Sequence, residues 1–261
     1  MPREEIPMQD RILDLLAESR EEWLSSEVIS SELGISRGTV SKHIASLRDE
    51  GNIIDSTRRG YRLISRVTPC AREDAQKGLL TRSLGQGRWI WLKEASSTNQ
   101  VAAQEALEGA PEGLVVVAQR QNEGRSSRGE RWVSLPGGLH FSVLIRVNWP
   151  ADRLSELTLL AQEACIAAVE AAGGPRLAQG PSCELHLNGA KAGGILVESM
   201  FHNDAMRWAV IGVGLNVNTP ADAIPAELHG TATSLYAETG NALCVTTILR
   251  NILEELEQRI G

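Results

Sequence analysis

Apolar residues recur at helical spacing through the first fifty positions. Ile12, Leu13, Leu15 and Leu16 predict an amphipathic helix over residues 8–18, because a period near 3.6 gathers them on one face. Ser25 or Ser26 is a candidate N-cap for a second helix carrying Val28, Ile29 and Leu33, and Gly34 is the permissive residue that a helix C-terminus wants. Ser36 can cap a third helix, Arg37 to about Glu50, which buries Val40, Ile44 and Leu47. After Gly51 the period changes to two. NIIDSTRRGYRLIS alternates around a basic turn and predicts a β-hairpin with Arg58 and Arg59 at or near its tip.

The next stretch, RVTPCAREDAQKGLLTRSLGQG, holds Pro69, weak periodicity and mixed charge, so it predicts a linker over 67–87. From Trp89 onward strands and helices interleave. WIWLKEA, LVVVAQRQ, GLHFSVLIRV, AGGILVESM and WAVIGVGLNVN read as strands, while residues 100–107, 153–172 and 246–259 have helical spacing. The fold class is α+β: a small helical unit with a hairpin over 1–66, then a mixed sheet with flanking helices over 88–261.

Charge sharpens the reading of the first unit. The 261-residue chain has a net charge of −7, which argues against general polyanion binding. Residues 1–36 hold three Lys/Arg against nine Asp/Glu, but residues 37–66 hold seven against three. A basic hairpin beside a third helix that exposes Arg37, Thr39, Ser41, Lys42 and His43 is the pattern of a winged helix-turn-helix. Those five residues with Arg58 and Arg59 are the candidate DNA contacts; the competing reading is a helical docking module with a merely solvated basic face. The four cysteines, at 70, 165, 183 and 244, form no CxxC pair and do not cluster with the five histidines, so no metal-ligating set and no disulfide framework is read. No apolar run is long enough to span a bilayer and the N-terminus lacks a signal peptide's apolar stretch, which predicts a cytoplasmic protein with no membrane partner.

Polar and glycine-rich stretches gather at the predicted strand ends of the second unit. SSTN (96–99) opens a helix, beside free backbone N–H groups. QNEGRSSRGERW (121–132) aims guanidinium groups at something anionic. LNGAKAGGILVE (187–198) sets Lys191 before the Gly193-Gly194 pair, and GVGLNVN (212–218) ends a strand with Asn216 and Asn218. Each alone has an ordinary structural explanation as a helix cap, a bulge or a solvated arginine. Their order and spacing, closed by ATSL (232–235), together with the leading winged helix, resemble the biotin protein ligase family, and within it the bacterial ligases that double as biotin operon repressors.

The resemblance implies a two-step acyl transfer, in which biotin and ATP give biotinyl-5′-AMP and a lysine of biotin carboxyl carrier protein then takes the acyl group. It implies Mg²⁺ on the phosphates, operator DNA as a partner and a ligand-dependent homodimer. Carried over by motif, Ser97, Thr98, Asn99 and Gln121 bind the biotin ring system, with Gly124, Arg125, Gly193 and Gly194 closing around it. Arg125, Arg128 and Lys191 are the expected catalytic cations, and Arg128, Trp132, Lys191 and Asn216 the expected ATP-binding set, Trp132 packing on adenine. Lipoate ligation on the related fold fits less well, since the GRxxRGxRW and GVGLNVN stretches follow the biotin pattern.

This chain also departs from the family pattern. Where the family carries Lys-Trp-Pro-Asn-Asp, residues 176–187 read RLAQGPSCELHL. The motif lysine falls on Gln179 or Gly180, depending on alignment, with Arg176 the nearby candidate replacement. Ser126 and Ser127 stand where the bacterial repressor-ligases usually have Gly and Arg, and no C-terminal β-barrel segment follows the last helix. Loss of a cation from a preorganised site typically costs ~100- to 1000-fold in rate, so slow adenylation is expected, with a non-enzymatic ligand-sensing repressor as the alternative.

Overall fold

The structure is a computed structural model that describes residues 7–19, 22–49, 51–65, 75–147, 149–203 and 205–261. It divides into two compact units, Met1–Pro69 and Cys70–Gly261. In the first, helices α1 (Met8–Glu18), α2 (Ser26–Leu33) and α3 (Arg37–Asp49) precede a hairpin of β1 (Ile53–Thr57) and β2 (Gly60–Ser65). Ser25 Oγ accepts the Val28 N–H at 3.2 Å and Ser36 Oγ accepts that of Thr39 at 3.1 Å, while Gly34 takes the left-handed C-cap at φ 67°. Ile12, Leu16, Ile29, Val40, Ile44, Leu47 and Ile54 form the core. Val28, expected on the inner face of α2, is 45% exposed, because Ile29 alone occupies the buried stripe of that short helix.

The hairpin is fixed to the helices by particular bonds. The Arg48 guanidinium donates to the Ile54 carbonyl, and Asn52 Nδ2 donates to Leu47 O at 2.9 Å. Leu24 bridges Tyr61 in antiparallel register, so a short third strand joins the pair. Gly60, at φ 131°, lies so close to the Leu24 carbonyl that any Cβ would collide with it. The turn between β1 and β2 is therefore two residues long, Arg58 and Arg59.

The second unit is built on one seven-stranded sheet with strand order β3-β4-β5-β9-β8-β7-β6. Its strands are β3 (Trp89–Ala95), β4 (Val115–Gln121), β5 (Leu139–Ile145), β6 (Ala178–Gln179), β7 (Glu184–Leu187), β8 (Ala190–His202) and β9 (Ala205–Leu215). β3 and β4 are parallel, joined through α4 (Thr98–Leu107), and the other pairs are antiparallel. Both faces are covered. Val116, Leu144 and Val210 point to one side with Ala102 and Ala106 of α4. Val115, Val117, Val143 and Ile211 point to the other, against α5 (Leu154–Ala171) and α7 (Val245–Ile260). This is the two-residue period of a strand buried on both sides. A short α6 (Leu235–Thr239) precedes α7.

The units divide after Pro69, close to the boundary expected near residue 67, but the expected linker does not run to residue 87. Residues 75–87, expected to be linker, belong to the second unit: Ala75, Leu79 and Leu84 are buried in its main core. The Glu257 carboxylate on α7 accepts N–H bonds from Ser83 at 2.8 Å and Leu84 at 2.9 Å, and also the Ser83 hydroxyl at 2.9 Å. Burial alone would raise the pKa of Glu257, but these donors together with the Arg82 N–H outweigh it and hold the carboxyl below its usual range.

Candidate active site

A pocket open to solvent lies where α4 begins and where Gly194 near the start of β8 and Gly212 and Gly214 near the end of β9 leave room. Among the expected site residues, Ser97, Thr98, Asn99, Gln121, Arg125 and Gly194 of the biotin set and Trp132 and Lys191 of the ATP set line it together. Gly124 and Gly193 lie behind the wall. Gly124 O accepts the Trp132 N–H at 2.8 Å, and Gly193 abuts Gly214 on β9. A Cβ at Gly214 would come within 2.6 Å of the Trp132 indole, so Gly214 makes the seat on which that ring rests, while Gly212 gives the room that Asn99 occupies.

The SSTN stretch is a hydrogen-bonded network. Gln121 Oε1 accepts the Thr98 N–H at 2.8 Å and the Thr98 hydroxyl at 3.2 Å. Ser142 Oγ lies 2.6 Å from Asn99 Oδ1, and Asn99 Nδ2 donates to Leu196 O at 3.1 Å and Glu198 Oε2 at 2.8 Å. Both polar atoms of the Asn99 amide thus serve the protein, which makes Asn99 a brace between α4, β5 and β8. Ser97 caps α4 but its hydroxyl bonds no backbone N–H there.

A second chamber adjoins the first and shares Trp132, Glu184 and Lys191 with it. Its further lining includes Glu130, Arg131, Val133, Leu135, His186, Asn216 and Leu228. At the junction sits Glu184. Arg128 Nη2 donates to its Oε1 at 2.8 Å, Lys191 Nζ lies 3.1 Å from the same oxygen, and His186 Nε2 lies 2.8 Å from Oε2. Burial would raise the Glu184 pKa, but the His186 and Lys191 hydrogen bonds and the charges of Lys191 and Arg128 outweigh it and lower it overall. Lys191 Nζ is also 5.6 Å from the Trp132 ring centroid, and its backbone is pinned by Thr231 O and Thr233 N, each at 2.9 Å. Asn216 Nδ2 holds Thr233 O at 2.9 Å, while its buried Oδ1 and Trp132 Nε1 have no hydrogen-bond partner among the described residues. Asn216 and Trp132 both line the second chamber.

Glu184 and His186 were not among the expected site residues. A signal existed: counted without gaps, Lys-Trp-Pro-Asn-Asp falls on Gly180 to Glu184, so an acid ends the stretch in both. Ser182 and Cys183, at φ 51° and 65°, form the left-handed kink that delivers Glu184 to the pocket. Arg176 and Gln179, offered as the replacement cation and as the motif lysine's position, line an outer groove with Glu163, Glu170 and Arg259 instead. The edge strand β6 carries Gln179 there. Of the helix-turn-helix candidates, Arg37, Ser41, Lys42, Arg58 and Arg59 are exposed, whereas Thr39 and His43 are half-buried; Thr39 Oγ1 lies 2.8 Å from Ser36 Oγ in the N-cap and Arg37 pairs with Glu27 at 2.5 Å.

Behind the site, fully buried His140 meets Trp132 edge-on with ring centroids 6.3 Å apart. Burial pushes its pKa down to about 4, the backbone groups of Gln119 and Ala118 offsetting only part of that. The unfolded chain takes up this proton near 6.5, so the neutral ring's contribution to stability is whole above pH 6.5 and is lost as the pH falls to about 4. The expected loss is about 3 kcal/mol. Urea titrations at pH 7 and pH 4.5 should show it, and His140→Gln should remove that part of the pH dependence.

Residues 9–62 match an HTH domain, and residues 91–216 match the Biotin/lipoate A/B protein ligase family. The bifunctional ligase/repressor BirA of Bacillus spizizenii is 36% identical over 250 residues, which is 95% of this chain and 77% of that one. A biotin--[acetyl-CoA-carboxylase] ligase of Paracoccus denitrificans is 34% identical over 159 residues, 58% of this chain and 64% of its own. Among solved structures, the biotin protein ligase of Aquifex aeolicus in complex with biotin and ATP superposes with a TM-score of 0.54 at 28% identity, over 66% of this chain and 70% of that one.

Proposed function

This chain belongs to the family of bifunctional biotin protein ligases and repressors, and from that premise we propose that it joins biotin to a carrier protein and represses transcription in response to biotin. The observation that carries the reading is the set of cations, Arg128 and Lys191, gathered on Glu184 where the two chambers meet. Two anions must react there. A biotin carboxylate oxygen attacks the α-phosphorus of ATP, the bond to the β-phosphate oxygen breaks, and pyrophosphate leaves. The carrier lysine amine then attacks the acyl carbonyl and AMP departs.

In this reading the first chamber takes the biotin ring against Ser97, Thr98 and Gln121, and the second takes the nucleotide against Trp132 and Asn216. Arg125 and Arg128 close over the acyl phosphate, and Lys191 bridges carboxylate and phosphate. Fixed cations aimed at developing charge lower the barrier because they need no reorganisation in the transition state. Among the described residues no cluster of three or more His, Cys, Asp or Glu is arranged to hold a metal, yet the site suits Mg²⁺ bound mainly by phosphate and water. Asn216 Oδ1, buried without a partner, is the oxygen that would face such an ion, which supplies charge neutralisation on the triphosphate.

Ligand closure of residues 121–131 is the step proposed to favour a two-fold dimer on a palindromic operator, with biotin carboxyl carrier protein as acceptor. No helix among the described residues is long and apolar enough to cross a membrane, which agrees with the cytoplasmic setting such partners need. The test is incubation of the purified protein with biotin and labelled ATP, reading biotinyl-AMP and transfer to a carrier domain. Saturable adenylate formation is expected. Biotin binding without adenylate would instead favour the non-enzymatic sensor, a reading supported by the absence of Arg176 and Gln179 from the pocket lining.

A further inference from the structure

The stretch 176–187 sends its arginine to the outer groove, but it brings one ionisable nitrogen group to the site. His186, on β7, lies across from Lys191 on β8 as a register partner. Its Nε2 is 2.8 Å from Glu184 Oε2, and its ring lines the second chamber. The room it occupies is kept by Gly180: a Cβ there would lie 2.5 Å from the imidazole Cδ2 and 2.7 Å from Nε2. A glycine at 180 and an imidazole at 186 are therefore spatially coupled. The ring stands in the space that a side chain at 180 would need.

We infer that His186 supplies a further positive charge to this site, the third gathered on Glu184 beside Arg128 and Lys191, taking up a proton as the anionic substrates bind. The inference rests on the function proposed above. The charged groups around the ring are Glu184 on its own strand, Lys191 on β8, Arg128 through Glu184, and Glu130 and Arg131 lining the same chamber. In the empty site the Glu184 carboxylate is shared among Arg128, Lys191 and His186. A bound biotin carboxylate and a triphosphate add several negative charges, and opposite charge at short range favours the protonated ring. Arg128, Lys191 and protonated His186 then outweigh the Glu184 they share, leaving that cluster net positive beside the α-phosphate, although no lysine or arginine of 176–187 reaches it.

The experiment compares wild type, His186→Gln, His186→Lys and Gly180→Ala. Biotin affinity is read by calorimetry, proton uptake on ATP binding by calorimetry in two buffers of different ionisation heat, and biotinyl-AMP formation in a single turnover. His186→Gln is expected to keep biotin affinity, abolish the proton uptake and slow adenylation ~100-fold, the scale for one preorganised charge. His186→Lys should restore most of the rate without proton uptake, and Gly180→Ala, by pushing on the ring, should reproduce part of the loss. A wild-type rate in His186→Gln would overturn the inference. So would a lysine variant no faster than the glutamine one, since that marks a role of shape alone. A wild-type protein that binds biotin but makes no adenylate also overturns it while sparing the sensor reading, whereas a protein that binds no biotin brings down the underlying assignment.

Discussion

Lys191→Ala is expected to slow biotinyl-AMP formation ~1000-fold, the upper end for loss of one group aimed at developing charge. The lysine is placed by its backbone before any ligand arrives, through paired bonds to Thr231 and Thr233. Its ammonium sits between the two chambers, against Glu184 and over the Trp132 ring. Removal leaves a dry space beside the α-phosphate and releases Glu184 from one of its three partners, so like charges face each other where bond formation must occur. The measurement is single-turnover adenylate formation at saturating biotin and ATP. The loss belongs to the rate constant, with biotin affinity reduced far less, because in the proposed arrangement Thr98 and Gln121, not Lys191, take the ring system. A loss confined to affinity would move Lys191 out of the reacting centre.

The double substitution Arg58→Ala, Arg59→Ala is expected to weaken operator binding about 60-fold at 0.1 M salt. Each phosphate contact contributes about 0.9 to the slope of log affinity against log salt, so two contacts contribute about 1.8 and roughly that many decades between 1 M and 0.1 M. The two arginines fill the whole turn of the hairpin, and both are exposed. Other basic residues of the same stretch are engaged in structure: Arg48 holds the Ile54 carbonyl, and Arg62 pairs with Asp55 at 3.2 Å and stacks over Trp23 at 4.7 Å. Anisotropy titrations across a salt series decide the matter. An unchanged slope would mean that the wing does not touch phosphate.

Periodicity located every helix of the first unit because each buries a stripe against its immediate neighbours. It erred at Val28, where an eight-residue helix has room for little more than Ile29 on its inner face. In the second unit the long strands were legible from runs such as LVVVAQRQ, but β6 and β7 were not, since two and four residues are too few for a period to show. Residues 75–87 read as linker because the partners of Ala75, Leu79 and Leu84 include α7, more than 160 positions away. The pocket lining was legible wherever a motif marked it, from Thr98 and Gln121 to Lys191. Glu184 was marked only by the ungapped motif count, and His186 was hidden because a left-handed kink at Ser182 and Cys183, which no local pattern announces, turns the chain toward the site.

The bonds between Glu257 and residues 82–84 span 173 to 175 positions. The described core of the first unit, by contrast, is drawn from residues between Met8 and Leu63. During synthesis the two parts therefore mature at different times. The DNA reader can fold as soon as its hairpin has cleared the ribosome, while the sheet of the second unit stays unclosed until α7 emerges. At about 5–20 residues per second that gap is roughly 10–40 s. For that interval a nascent chain carries a finished reader with no finished ligand pocket, and the apolar face awaiting α7 is the surface on which a chaperone would act.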